Sequence, residues 1–242
     1  MAPLLMGQAK PKLVPDVSQR QVEIRYSFTG AELLLFGAIV YPDGRVPEGA
    51  TDIAVVVRGP AQRIVVREKQ KVAGIWMNVE SERFRSAPAF YAVSSSRPLA
   101  NLVDERTSAI YELGLQNLQL SPASGATSEQ RRRFEEGLVD LRQRGQLFYE
   151  NPRGVEISEN VLYRARISIP ARVPVGTYTA ETFLIREGRV IAGAAREIRI
   201  EKLGFEKAVA DFADDWSFAY GILSVLLSLG LGWAGSAAFR RS

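Results

Sequence analysis

The sequence predicts a mainly β chain: an immunoglobulin-like antiparallel β-sandwich with a helical insertion, followed by one C-terminal transmembrane helix. Three patterns carry that expectation. Val22, Ile24, Tyr26 and Phe28 alternate with Glu23, Arg25 and Ser27, and Tyr163, Ala165, Ile167 and Ile169 alternate with Arg164, Arg166 and Ser168; a period of two puts apolar groups on one sheet face. Short apolar runs follow one another between Gly and Pro turn signals without a repeating strand–helix rhythm, which favours antiparallel sheets over an α/β fold. Finally, Trp216 to Phe239 carries no charge, and a helix needs ~20 apolar residues to cross a hydrocarbon core.

The strands and helices can be justified in order. Leu33 to Val40 and Ile53 to Val57 are dense apolar runs, with Pro42-Asp43-Gly44 as turn chemistry between them, and Ile64 to Arg67, Val72 to Met77 and Phe90 to Val93 extend the β series. The pattern then turns helical: Leu99, Leu102, Val103, Ile110 and Leu113 fall at helical spacing before Gly114. A second helix opens on a Thr127–Gln130 capping box, carries Phe134, Leu138 and Leu141 on one stripe, and is expected to stop at a left-handed Gly145. Ser121 to Gly125 reads as a loop between the two. Strands resume until Pro170 and Pro174, and Tyr178 to Arg186 returns through Glu187-Gly188 to Arg189–Ile200 as a two-residue hairpin. The Val175-Gly176-Thr177-Tyr178 stretch before the penultimate strand fits the tyrosine corner of immunoglobulin-like sandwiches.

Composition removes several function classes. The 242 residues include 31 Lys and Arg, 27 Asp and Glu, 46% hydrophobic residues, and neither His nor Cys. The usual ligand sets for zinc, blue copper, iron–sulfur clusters and most haems are therefore missing, as are Ser-His-Asp and Cys-His catalysis and any disulfide. No cofactor is expected. Arg240 and Arg241 supply two units of the +4 net charge, so the rest of the chain is nearly neutral and carries no nucleic-acid footprint.

Three segments follow: 1–9 as the remnant of a secretion signal, 10–211 as a periplasmic β-sandwich domain with its helical insertion at about 99–148, and 212–242 as the transmembrane helix with a short cytoplasmic tail. Pro3-Leu4-Leu5-Met6 resembles the end of an apolar signal core, Gly7 and Ala9 fit a small-x-small cleavage pattern, and Lys10-Pro11 would open the mature chain. The stretch is short for a working signal, which points to a start codon upstream or to trimming; the competing reading is a cytoplasmic N-terminus with a tail anchor. Lys202 and Lys207 before the apolar run balance Arg240 and Arg241 after it, so charge does not decide orientation. A buried helix of a water-exposed domain is the other reading of the run. Within it Ser224, Ser228, Gly232 and Ser236 recur every four residues, a ridge of small side chains on which a partner helix or a second copy can approach closely.

LLLFGAI (Leu33 to Ile39), VVVRGP (Val55 to Pro60), VAGIWMN (Val72 to Asn78), FYAVSSSRPL (Phe90 to Leu99), PVGTY (Pro174 to Tyr178) and the terminal pattern from Gly232 to Arg241 resemble Alph_Pro_TM, a family of alphaproteobacterial transmembrane proteins. The resemblance covers nearly everything after Asp16 and departs at the short N-terminus. It implies an envelope protein with one C-terminal span and supplies no activity; members encoded near sulfite-exporter-like permeases imply an accessory role.

Candidate recognition residues lie at apparent strand ends, where sandwiches carry binding sites. Arg58 or Arg97 has the guanidinium fork to grip a small anion, and Trp76, Asn78 and Tyr91 are placed beside them as further ligand-binding candidates; the competing reading makes the aromatics core and the arginines surface. Arg131-Arg132-Arg133 opposes the helix dipole, and is read either as a binding patch or as a solvated face neutralised by Glu135 and Glu136. Glu80 with Glu82, and Asp104 with Glu105, are carboxylate neighbours in sequence, which says nothing of the separation across a cleft that glycoside hydrolysis needs. The expected protein is thus not an enzyme. It is a single-pass inner-membrane protein whose periplasmic sandwich acts as an accessory or adaptor subunit, with the lipid bilayer and an integral membrane protein, or a second copy, as partners. The alternative is a membrane-tethered binding module for a small anion.

Overall fold

A computed structural model describes residues 11–24, 30–42, 44–46, 49, 51–123, 127–202, 209 and 212–239. The expected signal remnant at 1–9 with Lys10, the strand continuation through Tyr26 and Phe28, Asp43, Ser124-Gly125, Lys207, Asp211 and Arg240-Arg241 lie outside the described residues. The chain divides into two compact units: one takes in the chain up to Ile200 apart from Glu23–Ser27, and the other takes in Glu23–Ser27 and the chain from Glu201, with the C-terminal helix.

The first unit is built from sheets, as the alternation predicts. A four-stranded antiparallel sheet has the order β1 (Lys12–Val17), β3 (Gly30–Val40), β11 (Leu162–Pro170), β10 (Val155–Ser158). In its register Leu33 faces Ile167 and Leu35 faces Ala165, so the period of two collects Leu33, Leu35, Ala165, Ile167 and Ile169 on one buried face. A six-stranded sheet has the order β2 (Gln21–Ile24), β13 (Arg189–Lys202), β12 (Gly176–Arg186), β4 (Asp52–Arg58), β7 (Tyr91–Ser95), β9 (Phe148–Asn151). β4 sits inside it with Ile53 to Val57 fully buried, which explains why that run is continuous rather than alternating. β10 and β11 pack against β4, and β11 also against β7. The third sheet is the long hairpin of β5 (Ala61–Val72) and β6 (Ile75–Pro88), extended by β8 (Ser121–Pro122).

Local signals hold in several places. Tyr178 Oη donates to the Pro174 carbonyl at 2.7 Å, the bond that defines a tyrosine corner. Glu187 and Gly188 take φ of 50° and 76° and join β12 to β13. In α2 (Ser128–Arg144) the Gln130 amide donates to Thr127 Oγ1 at 3.3 Å and the Thr127 amide donates to Gln130 Oε1 at 3.2 Å, the reciprocal capping box that the spacing predicts. Phe134 and Leu138 then pack on Val66, Phe84 and Ala87 of the long hairpin.

Other expectations are corrected. The sheets are not purely antiparallel: β7 and β9 run parallel, Tyr91 opposite Phe148, with the helical segment as their crossover. Parallel neighbours need such a connection, and a pattern seen once in the chain has no rhythm to detect. Leu99 to Leu113 is not one helix but a 3-10 turn (Leu99–Asn101) and α1 (Glu105–Ile110); Asp104 interrupts it by accepting the Thr107 amide at 2.7 Å as an N-cap. Gly145 has φ of −78°, and the left-handed position falls on Gln146 at φ 58°. Ser121-Pro122, expected as loop, pairs with β6.

The second unit contains α3 (Ser217–Phe239). Among the described residues, no helix is long and apolar enough to cross a membrane, and the transmembrane helix expected over 212–242 is not supported. Gly221, Ser224, Ser228, Gly230 and Gly232 interrupt the large apolar side chains of α3 and dilute the hydropathy that a crossing helix needs.

Candidate functional site

The five ligand-binding candidates divide between places that do not meet. Arg58 and Tyr91 are opposite one another in the β4–β7 register. Tyr91 is fully buried; its Oη donates to the Glu112 carbonyl at 2.7 Å and accepts the Gly114 amide at 3.0 Å, and burial raises its pKa well above the ordinary tyrosine range. Tyr91 is therefore the post on which the loop after α1 is hung. That loop needs Gly114, whose φ is +100°. Arg58 lies on the same loop: its guanidinium donates to Glu181 Oε2 at 2.6 Å and to the Tyr111 carbonyl at 3.2 Å, with Glu112 Oε2 at 3.6 Å. Two carboxylates already neutralise it, so it is not an open anion grip.

Arg97 stands at the other end of β4, roughly 20 Å from Arg58 at a strand rise of ~3.3 Å per residue. It is paired as well. Its Nε donates to Asp52 Oδ1 at 2.9 Å, a second nitrogen takes Oδ2, and Ser96 Oγ donates to Oδ1 at 2.8 Å. Asp52 is 6% exposed, so this is a forked pair holding a buried carboxylate, and that bond holds Arg97 more firmly protonated. Both arginines were expected at the surface or on a ligand; the structure uses both to tie carboxylates to the six-stranded sheet.

Trp76 and Asn78 lie elsewhere again. VAGIWMN is not one strand but the tip of the long hairpin: Val72 ends β5 and faces Ile75, the start of β6, across Ala73 and Gly74, with φ of 50° and 87°. The root pairs Ala61 with Pro88, so Trp76 projects about 35 Å from it at ~3.3 Å per residue. Trp76 is 67% exposed. Its neighbours Val72, Ile75, Met77 and Val79 are exposed too, a cluster that the sequence reading passed over. The two-residue turn ending in Gly between apolar runs is the signal that would have found it.

Two of the four carboxylates weighed for catalysis, Asp104 and Glu80, have structural partners. Asp104 caps α1, and the Thr107 hydroxyl and amide hold it below the usual carboxylate range. Glu80 and Glu68, on adjacent arms of the hairpin, both bind Arg133 of α2; Arg132 pairs with Glu136 at 3.7 Å. The basic triplet is thus divided between a hairpin clamp and a solvated helix face. Ser224, Ser228, Gly232 and Ser236 fall together on α3 and are exposed, but two hydroxyls are already used: Ser224 Oγ donates to the Tyr220 carbonyl and Ser228 Oγ to the Ser224 carbonyl, both at 2.8 Å. The ridge offers low relief rather than hydrogen-bond donors.

The family model described as "Putative transmembrane protein" (Alph_Pro_TM) matches residues 12–241. The chain belongs to the Alph_Pro_TM family. No curated protein and no solved structure matches it, so the immunoglobulin-like expectation has no solved counterpart. The Alph_Pro_TM description places the chain among membrane proteins and assigns no chemistry.

Proposed function

We propose that this Alph_Pro_TM protein is a non-enzymatic accessory subunit working beside a membrane partner, with its β-rich unit on the periplasmic side of the inner membrane and α3 as the element that meets the partner. The observation that carries this reading is α3 itself. Phe218, Leu231 and Trp233 are 82%, 72% and 77% exposed, and exposed apolar side chains surround the helix instead of forming one stripe. A helix apolar on every side is covered in its working state, and the cover proposed here is a helix of the partner. The small-residue ridge lets a second helix come close. A sulfite-exporter-like permease is the partner class that the family resemblance implies.

A photo-crosslinker at Ser236 in intact cells tests it, with Arg172 on the β-rich unit as the comparison site. We expect a discrete heavier adduct from Ser236 alone, lost in Ser228→Leu and Gly232→Leu. An adduct of twice the chain's mass would replace the accessory reading with self-association, and no adduct would end it. The periplasmic side is checked separately by an export-dependent reporter fused at Lys10, which should be active.

A second reading, a small-anion binding module, draws on one observation away from the expected arginines. Arg186 Nε and one terminal nitrogen are buried without a hydrogen-bond partner among the described residues, as is Thr51 Oγ1. Asp52 pairs with Ile185, so Thr51 and Arg186 come next in that antiparallel order. An oxyanion would satisfy both, where leaving them bare is costly. Calorimetry on the full chain with sulfite, sulfate and an organosulfonate checks it: micromolar binding lost in Arg186→Ala supports the reading, and silence across the panel removes it.

A further inference from the structure

The long hairpin is supported over only part of its length. From its root to Glu68 and Glu80, one face is covered by α2, through Phe134 and Leu138 on Val66 and Phe84 and through Arg133 on the two carboxylates. Past the irregularity between Glu68 and Lys69, every side chain from 69 to 79 is exposed. A two-stranded ribbon with neither face buried is marginal in water, yet this one becomes more apolar toward its end.

The register sorts the exposed side chains. Val72 with Ile75, and Gln70 with Met77, share one face; Lys71 with Trp76, and Lys69 with Asn78, share the other. Along the ribbon this gives an apolar face of Val72, Ile75 and Met77 at the end, with Trp76 beside Lys71 on the other face and Lys69 nearer the root. Neither lysine makes an ion pair with another described residue.

We infer that the hairpin tip is a finger that dips into the headgroup zone of an anionic bilayer. Three arguments select lipid over a protein groove. The apolar end is three residues on β6, Ile75 to Met77, with Val72 beside them on β5, roughly 10 Å at ~3.3 Å each, which matches the ~5–10 Å depth of an interfacial element and falls far below the ~30 Å needed to cross. Tryptophan favours the headgroup level, and Lys71 opposite it and Lys69 further back on the same face are placed to meet phosphates of an anionic surface. The ribbon's outer edges are unpaired around the tip among the described residues, so their backbone groups need water or headgroups and stop the finger at the interface. The contact is separate from the one proposed for α3.

The protein contains three tryptophans, so Trp216→Phe with Trp233→Phe leaves Trp76 as the sole indole reporter in the full chain. On vesicles of mixed phosphatidylglycerol and phosphatidylcholine its emission should shift to the blue and be quenched by brominated lipid tails. Ile75→Asp with Met77→Asp should weaken that response at least tenfold, and Lys69→Glu with Lys71→Glu should weaken it on anionic vesicles but not on neutral ones. Trp76 emission that stays water-like while the chain sediments with vesicles would overturn the inference, as would a shift that requires an added protein. Because the readout is local to Trp76, failure of the α3 contact would leave it unchanged.

Discussion

A methyl group on Gly37 would stand 2.5 Å from the Val14 carbonyl oxygen and 2.6 Å from Tyr163 Oη, closer than real Cβ contacts come. Gly37→Ala therefore has to separate β1 from β3 or displace Tyr163, and should cost about 1–3 kcal/mol, read as a lower urea midpoint. Asp52 poses the opposite problem, a carboxylate buried for the sake of its partners. Arg97→Ala removes the fork and should cost about 1–3 kcal/mol; adding Asp52→Asn should recover part of that loss, since the penalty lies in the charge left behind. Proton linkage has two sides. Val17, Thr107 and Arg164 hold Asp16, Asp104 and Glu156 below the ordinary carboxylate range, so their contribution is present above pH ~4 and is lost as pH falls through the lowered values. Burial pushes Tyr149 up to about 12 and raises Tyr91 and Tyr178 as well. The neutral phenols thus stabilise the fold below pH ~10, and that stability is lost as pH rises from there through the raised values. Thermal scans against pH should show both shoulders, with the alkaline one reduced in Tyr178→Phe.

Elements were legible in proportion to how locally their signals are written. The capping box, the Glu187-Gly188 hairpin and the tyrosine corner each lie within a few residues, and all three form where the sequence places them. Thr127→Ala should cost about 1 kcal/mol through the lost cap and loosen the helix that covers the hairpin, measurable by denaturation and by faster amide exchange in α2. What was not legible depends on distant partners. β1, β9 and β10 are short strands whose pairing is set by β3, β7 and β11, and the parallel β7–β9 contact needs the whole helical crossover to exist. The break before α1 was hidden because Leu99, Leu102 and Leu113 are all buried or half-buried, which produces helical-looking spacing without a continuous helix.

For the whole molecule, the same distinction separates chemistry from contact. Residue type alone made Arg58, Arg97 and Tyr91 look like a pocket, but a sequence does not show which carboxylates will reach them, and the fold spends all three on holding loops and strands together. Trp76 is expected at a strand end beside the arginines and instead stands just past the Ala73-Gly74 turn of the long hairpin, because that turn was read as strand. Among the described residues, the hairpin tip and α3 both leave apolar surface facing outward, in a chain whose family description is a transmembrane one. Amide exchange of the full chain in native membranes, compared with the same chain in detergent solution, reads both at once. Slower exchange at 69–79 and 217–239, with the other strands unchanged, is the predicted result; unchanged exchange in both segments, or slowing confined to the sheets around Arg58 and Arg97, would contradict it.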